Sequence, residues 1–207
     1  MSVVISLDLR DVSKSFGDRN VFSGINVSID SGCLAVTGPN GSGKSTLLRI
    51  IAGLLAPTSG EVVLAEGGKR VSTEQRRDLV GLVAPDLALY DEMSAVENLR
   101  FFARVRGLRK SEDELRDLLA KLGLAGREGD RLASYSSGMC QRVKYAFALI
   151  HNPAVLLLDE PSANLDEAGV AAMDLVIAEH RQRGIVVLAT NHPAEVHYGD
   201  RVLQLGA

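Results

Sequence analysis

The run Gly38-Pro39-Asn40-Gly41-Ser42-Gly43-Lys44-Ser45-Thr46 satisfies the pattern G-x-x-x-x-G-K-[ST] at every fixed position. The chemistry of such a run is phosphate binding. Its glycines let the backbone wrap tightly, so that successive N–H groups point inward at phosphate oxygens. A helix that starts at the loop adds its positive end. Lys44 brings a mobile point charge to β- and γ-phosphates. The Ser45 hydroxyl is placed for Mg²⁺ and Thr46 for the α-phosphate. A second pair of residues, Asp159 and Glu160, follows an apolar run. Asp159 suits a carboxylate that holds Mg²⁺, and Glu160 suits a group that orients or deprotonates an attacking water. His192 follows another apolar run and can donate to a γ-phosphate or to that water. His151, His180 and His197 lack this placement and read as ordinary. Finally, Ser136-Ser137-Gly138-Met139 precedes an amphipathic stretch over residues 141–150. It reads equally well as an ordinary helix N-cap and as a second anion site.

The elements that must position these residues follow from pattern. Residues 34–37, 154–158 and 184–189 are continuous apolar runs of the kind that buried parallel strands show. A helix over residues 167 to about 182 lies between the last two and makes a βαβ unit. In such sheets ligands bind beyond the carboxyl ends of the strands, which brings Asp159, Glu160 and His192 toward the loop at 38–46. Residues 3–9, 27–29 and 61–65 alternate or carry strand-forming residues between turn signals at 17–20, 57–60 and 66–69. They predict an antiparallel layer beside the phosphate loop. Residues 79–84 read as another short strand. From 94 to about 150 the period becomes helical. Ser94 with Glu97, and Ser111 with Glu114, are capping boxes, and Gly123 suits a C-cap. This stretch reads as an inserted helical subdomain. The serine-rich segment at its end cannot easily serve the phosphate beside Lys44, but it can serve one held by another copy of the chain. The fold class is therefore α/β: a P-loop NTPase core with a mostly parallel sheet, an antiparallel layer and a helical insertion, all within one domain over 1–207.

Bulk properties narrow the function. The 207 residues suit one large domain, and a hydrophobic content of 46% is ample for a core. With no Trp and 4% aromatics, that core is aliphatic. A formal charge of −3 argues against a general nucleic-acid binder. Cys33 and Cys140 have neither metal nor redox spacing and read as reduced, buried hydrophobes of a cytosolic protein. No apolar stretch approaches a membrane span, and the N-terminus does not read as a signal peptide, so any membrane role is expected to be peripheral.

In order and spacing, the loop at 38–46, the segment 136–141, the strand with Asp159 and Glu160, the segment Pro161-Ser162-Ala163-Asn164-Leu165-Asp166 and His192 resemble the motif series of the ABC ATPases. The resemblance covers essentially the whole chain. It implies an ATP- and Mg²⁺-dependent ATPase whose two copies sandwich two ATP molecules head to tail. It implies that Ser137 and Gly138 of one copy touch the γ-phosphate on Lys44 of the other, that Asp166 crosses the interface, and that Phe16 stacks on adenine. Read alone, Phe16 is an aromatic before a Gly turn and suits loop packing as well. The resemblance further implies a separate transmembrane permease on the inner face of the membrane, docked near Leu87, Leu89, Tyr90, Phe101 and Phe102, with no nucleic-acid partner. Phe101 and Phe102 suit the core of the helical subdomain equally well, and Arg104, Arg106, Arg109 and Lys110 read as a solvated face.

Two departures stand out. Tyr135-Ser136-Ser137-Gly138-Met139 replaces the family's Leu-Ser-Gly-Gly-Gln, as in exporter-type members. Pro85 stands where the family has a Gln, and Pro offers neither a side-chain oxygen nor an N–H. Asp86, the adjacent oxygen donor, is the expected substitute toward Mg²⁺. The short length and residues 87–108 are similar to the ATP-binding subunit of the haem exporter of cytochrome c maturation. Short exporter subunits for drugs, polysaccharides or sodium compete with it. Outside transport, the rival readings are a soluble ABC-type ATPase and a nucleotide sensor.

Overall fold

The computed structural model describes residues 4–206. β1 (Ile5–Phe16), β2 (Arg19–Ile29), β4 (Ser59–Glu66) and β5 (Lys69–Arg70) form an antiparallel sheet in the order β2-β1-β4-β5. β3 (Gly32–Thr37), β6 (Val80–Val83), β7 (Val155–Asp159), β8 (Ile185–Thr190) and β9 (Arg201–Gln204) form a parallel sheet in the order β6-β7-β8-β3-β9. The expected strand over 3–9 begins at Ile5 and runs on to Phe16, and Val3 lies outside the described residues. The turn expected at 17–20 narrows to Gly17 and Asp18, because Arg19 and Asn20 already pair with β1.

The continuous apolar runs behave as double-sided strands must. Along β7 and β8 successive residues enter opposite cores. Leu157, Val187 and Ala189 pack with β1, β2, β4 and α1 (Lys44–Ile51), whereas Leu156, Leu158, Val186 and Leu188 pack with the helices. Those helices are α3 (Ala95–Val105), α4 (Glu112–Lys121), α5 (Ser137–Leu149) and α6 (Glu167–Arg181). Both expected capping boxes form at Ser94 and Ser111, each satisfying two end donors, and Gly123 follows α4 with φ 71. Tyr145 and Val143 of α5 share one cluster with Leu115 and Leu119 of α4 and with the sheet, so the helical stretch has no core of its own. A short helix that the sequence pattern did not suggest, α2 (Thr73–Leu79), precedes β6.

Candidate functional site

Strand register decides the site. β8 lies between β3 and β7, with Thr37 opposite Thr190 and Asp159 opposite Ala189. The loop after β3, the acids at the end of β7 and the residues after β8 therefore leave one edge together. Two contacts tie them: the Glu160 N–H donates to Ala189 O at 2.9 Å, and Asn191 Nδ2 donates to Asn40 Oδ1 at 2.8 Å.

The phosphate loop needs its glycines. At Gly38 (φ 148) an added Cβ would lie 2.5 Å from Leu205 O, and at Gly43 (φ 98) 2.5 Å from Val21 Cγ1. Gly43 then caps α1 with no side-chain bond, which leaves the first N–H groups of that helix for a ligand. Lys44 is buried, and its Nζ donates to Gly38 O at 2.8 Å and Pro39 O at 3.1 Å, folding back along the loop. A cleft of about 530 Å³ opens here, lined by Asn40, Gly41, Gly43, Lys44, Ser45, Thr46, Phe16, Arg19, Val21 and Glu160. Phe16 is 52% exposed at its mouth, with Lys14 Nζ 4.8 Å from the ring centroid. A larger cleft, about 640 Å³, at Asp30, Arg181, Asp200 and Arg201 holds none of the residues singled out in the sequence.

Asp159 is buried, and its Oδ1 has no partner. Burial raises its carboxyl pKa, against the hydrogen bond from Ser45 and the charges of Arg49 and Lys44. An orphaned carboxylate oxygen beside a serine hydroxyl, at the rim of a phosphate loop, is a donor set that fits a hard divalent cation completed by phosphate oxygens. Ser42 Oγ is likewise buried and unpartnered. Glu160 adopts φ 48, an uncommon conformation for a non-glycine residue, as the chain turns from β7, and it lines the cleft. His192 is exposed, and its N–H donates to Thr190 Oγ1 at 2.9 Å.

Asp86 is not brought to this set. Its Oδ2 takes Arg49 Nη2 at 2.8 Å, and it lines a separate groove with Leu82, Leu87, Arg106 and Phe147. The expected Mg²⁺ role of Asp86 in place of the missing Gln thus has no support from the lining of the cleft at the phosphate loop. Ser137, Gly138 and Asp166 also lie outside the cleft wall. The start of α5 packs instead on the segment before α6: a Cβ on Gly138 would sit 2.9 Å from Asn164 O. Ser136 is the N-cap, its hydroxyl accepting from the Met139 N–H, and Asp166 caps α6 through Gly169. The Ser136 cap is the ordinary N-cap that the sequence left open for residues 136–139 beside an anion site. Arg19, Asn191 and Glu195 join the surroundings of the site without a local sequence signal. Cys33 is buried, with its thiol pushed up to about 12, while Cys140 is only half-buried, short of the burial expected. Phe102 and Phe147 meet edge to face at 4.8 Å, while Phe101 and Tyr90 stay exposed.

A family model described as ABC transporter matches residues 22–163. The chain belongs to the ABC transporter family. It is an ATP-binding subunit of that family and an ATPase. Lantibiotic transport ATP-binding protein SrtF of Streptococcus pyogenes is 33% identical over 189 residues, covering 90% of this chain and 80% of that protein. The sn-glycerol-3-phosphate import ATP-binding protein UgpC 2 of Agrobacterium fabrum is 41% identical over 181 residues, covering 86% of this chain and 48% of that protein. A solved structure described as the ATP binding subunit of an ABC transporter superposes with a TM-score of 0.83 at 29% identity, covering 96% of this chain and 85% of that one. These names give the cytochrome c reading no support. Among the described residues, no helix is long and apolar enough to cross a membrane.

Proposed function

We propose that this subunit works as an ATP-closed homodimer that powers export through a separate transmembrane permease, docked at the cytoplasmic face of the membrane. What supports the dimer is the half-built cleft. Its wall is the phosphate loop, Glu160 and the turn at 16–21, with Asp159 and His192 at the same sheet edge, but nothing from α5, whose start carries the exposed Ser136 and Ser137. In the dimer, Ser137 and Gly138 of one copy, with the Ser136 cap, meet the γ-phosphate held by Lys44 of the other, and Asp166 meets the partner across the interface. Asn40, Gly41, Ser42, Gly43 and Thr46 cradle the phosphates, and Phe16 stacks on adenine. Ser45 and Asp159 hold Mg²⁺, which when bound neutralises charge on the β- and γ-phosphates. Glu160 orients the attacking water and takes its proton. Lys44 and His192 stabilise charge on the transferred phosphoryl group. Once the bridging phosphate leaves, the copies separate, and the permease moves with them. Export is supported by SrtF, a relative of similar length named for lantibiotic transport.

The test is steady-state ATP hydrolysis by the purified chain. Glu160→Gln keeps ATP affinity within about threefold and loses at least about a hundredfold in turnover. Wild-type turnover by that variant contradicts the assignment.

A further inference from the structure

Behind the catalytic edge lies a buried carboxylate that the reaction does not use. Glu195, in the 3-10 stretch Pro193–Tyr198, is 5% exposed. Its Oε1 accepts from Ser162 Oγ, while its Oε2 is buried without a partner. Among the described residues no Lys, Arg or His forms an ion pair with it; the groups nearby include Tyr145 and Tyr198. A carboxylate in such a place costs stability compared with an apolar side chain, so packing does not account for it.

Its position does. Ser162 lies two residues beyond Glu160, and the Glu195 N–H donates to His192 O at 3.0 Å. One side chain thus holds the segment leaving β7 to the segment leaving β8. The link continues into α5. Tyr145 Oη, fully buried, donates to Pro161 O at 3.1 Å, and Arg142 Nη2 lies 3.5 Å from Asp166 Oδ2. The helix that begins with Ser137 and Gly138 is therefore joined directly to the segment leaving β7 and, only through Ser162 and Glu195, to the segment leaving β8.

We propose that Glu195 is a positioning residue: through Ser162 it sets where the His192 imidazole stands relative to the Glu160 carboxylate, so that both address one γ-phosphate and one water. This rests on the catalytic reading given above. Displacements of this kind are felt in turnover rather than in binding, because the phosphate loop is untouched.

The experiment measures kcat and KM for MgATP, with melting temperature, on the full chain. Glu195→Ala leaves a hole in the core, so Ser162→Ala, which removes one oxygen atom, carries the decision. Ser162→Ala and Glu195→Ala each lower kcat about tenfold with KM within about twofold. The double variant is no slower than the slower single, because both remove the same bond. Ser162→Thr, which keeps the hydroxyl, returns kcat to within about twofold of wild type. The proposal is overturned if Ser162→Ala keeps wild-type kcat, if it lowers only the melting temperature, if the two losses multiply, or if Ser162→Thr is as slow as Ser162→Ala. Glu160→Gln and His192→Ala separate the two levels. If both turn over normally, the catalytic reading falls and takes this inference with it. If both are inactive while Ser162→Ala is not, the inference alone falls.

Discussion

Gly138→Ala sets two effects against each other. Gly138 is the second residue of α5, and an alanine there stabilises the helix by at most about 1 kcal/mol. The added methyl, however, lies 2.9 Å from Asn164 O, about 0.4 Å inside the usual closest carbon–oxygen approach of about 3.3 Å. That oxygen belongs to the backbone, in a residue already held at φ 63, so the segment running to Asp166 must move. Relief of the contact costs about as much as the helix gains, leaving net stability within about 1 kcal/mol, or roughly 2–4 °C in melting temperature. Turnover has no such compensation. A shift of a few tenths of an ångström in both the start of α5 and the Asp166 segment lowers kcat about tenfold or more, given that misplacement by about 1 Å costs about a hundredfold. Differential scanning fluorimetry and a coupled ATPase assay on the same sample read the two quantities. Wild-type kcat with an unchanged melting temperature would refute the claim that these segments belong to the reacting assembly.

Lys44→Ala removes from the phosphate loop the buried cation proposed to meet the β- and γ-phosphates. ATP affinity falls by about 3 kcal/mol, more than a hundredfold, in isothermal titration. Asp159→Asn weakens Mg²⁺ binding and abolishes turnover, yet stabilises the nucleotide-free protein at pH 7. Because burial raises the native carboxyl pKa, the native state holds its proton longer than the unfolded chain, so ionisation costs stability as pH rises through that window. The advantage of the uncharged amide therefore shrinks as pH falls toward 4 in thermal melts. His180 behaves in the opposite sense. Burial and the Arg183 charge push it down to about 4, so its contribution is complete above about pH 6.5 and is lost as pH falls toward 4, by roughly 3 kcal/mol. His180→Gln flattens that part of an acid denaturation curve.

Legibility followed the strength of each local signal. The three apolar runs could be nothing but strands buried on both faces, and their carboxyl ends then placed Lys44, Asp159, Glu160 and His192 on one edge. The capping boxes at Ser94 and Ser111 were visible because their chemistry is local. α2 escaped because only Arg76 of its seven residues is buried, although Ser72 and Gln75 form a third capping box. β9 escaped because it is an edge strand of mostly exposed residues, and only its pairing with β3 defines it. Asp86 shows what nearness in sequence leaves open: it adjoins Pro85, yet its carboxylate pairs with Arg49, which no local signal announces. Glu195 could not be read at all: its role depends on Ser162, 33 residues away, with no periodicity linking them.

That each nucleotide needs two copies of the chain is tested most directly by light scattering on the Glu160→Gln protein. The account predicts that the mass doubles with MgATP, stays that of one chain with MgADP, and fails to double in a Ser137→Arg variant. A single-chain mass in every nucleotide state, with wild-type turnover per chain unchanged on dilution, would contradict it.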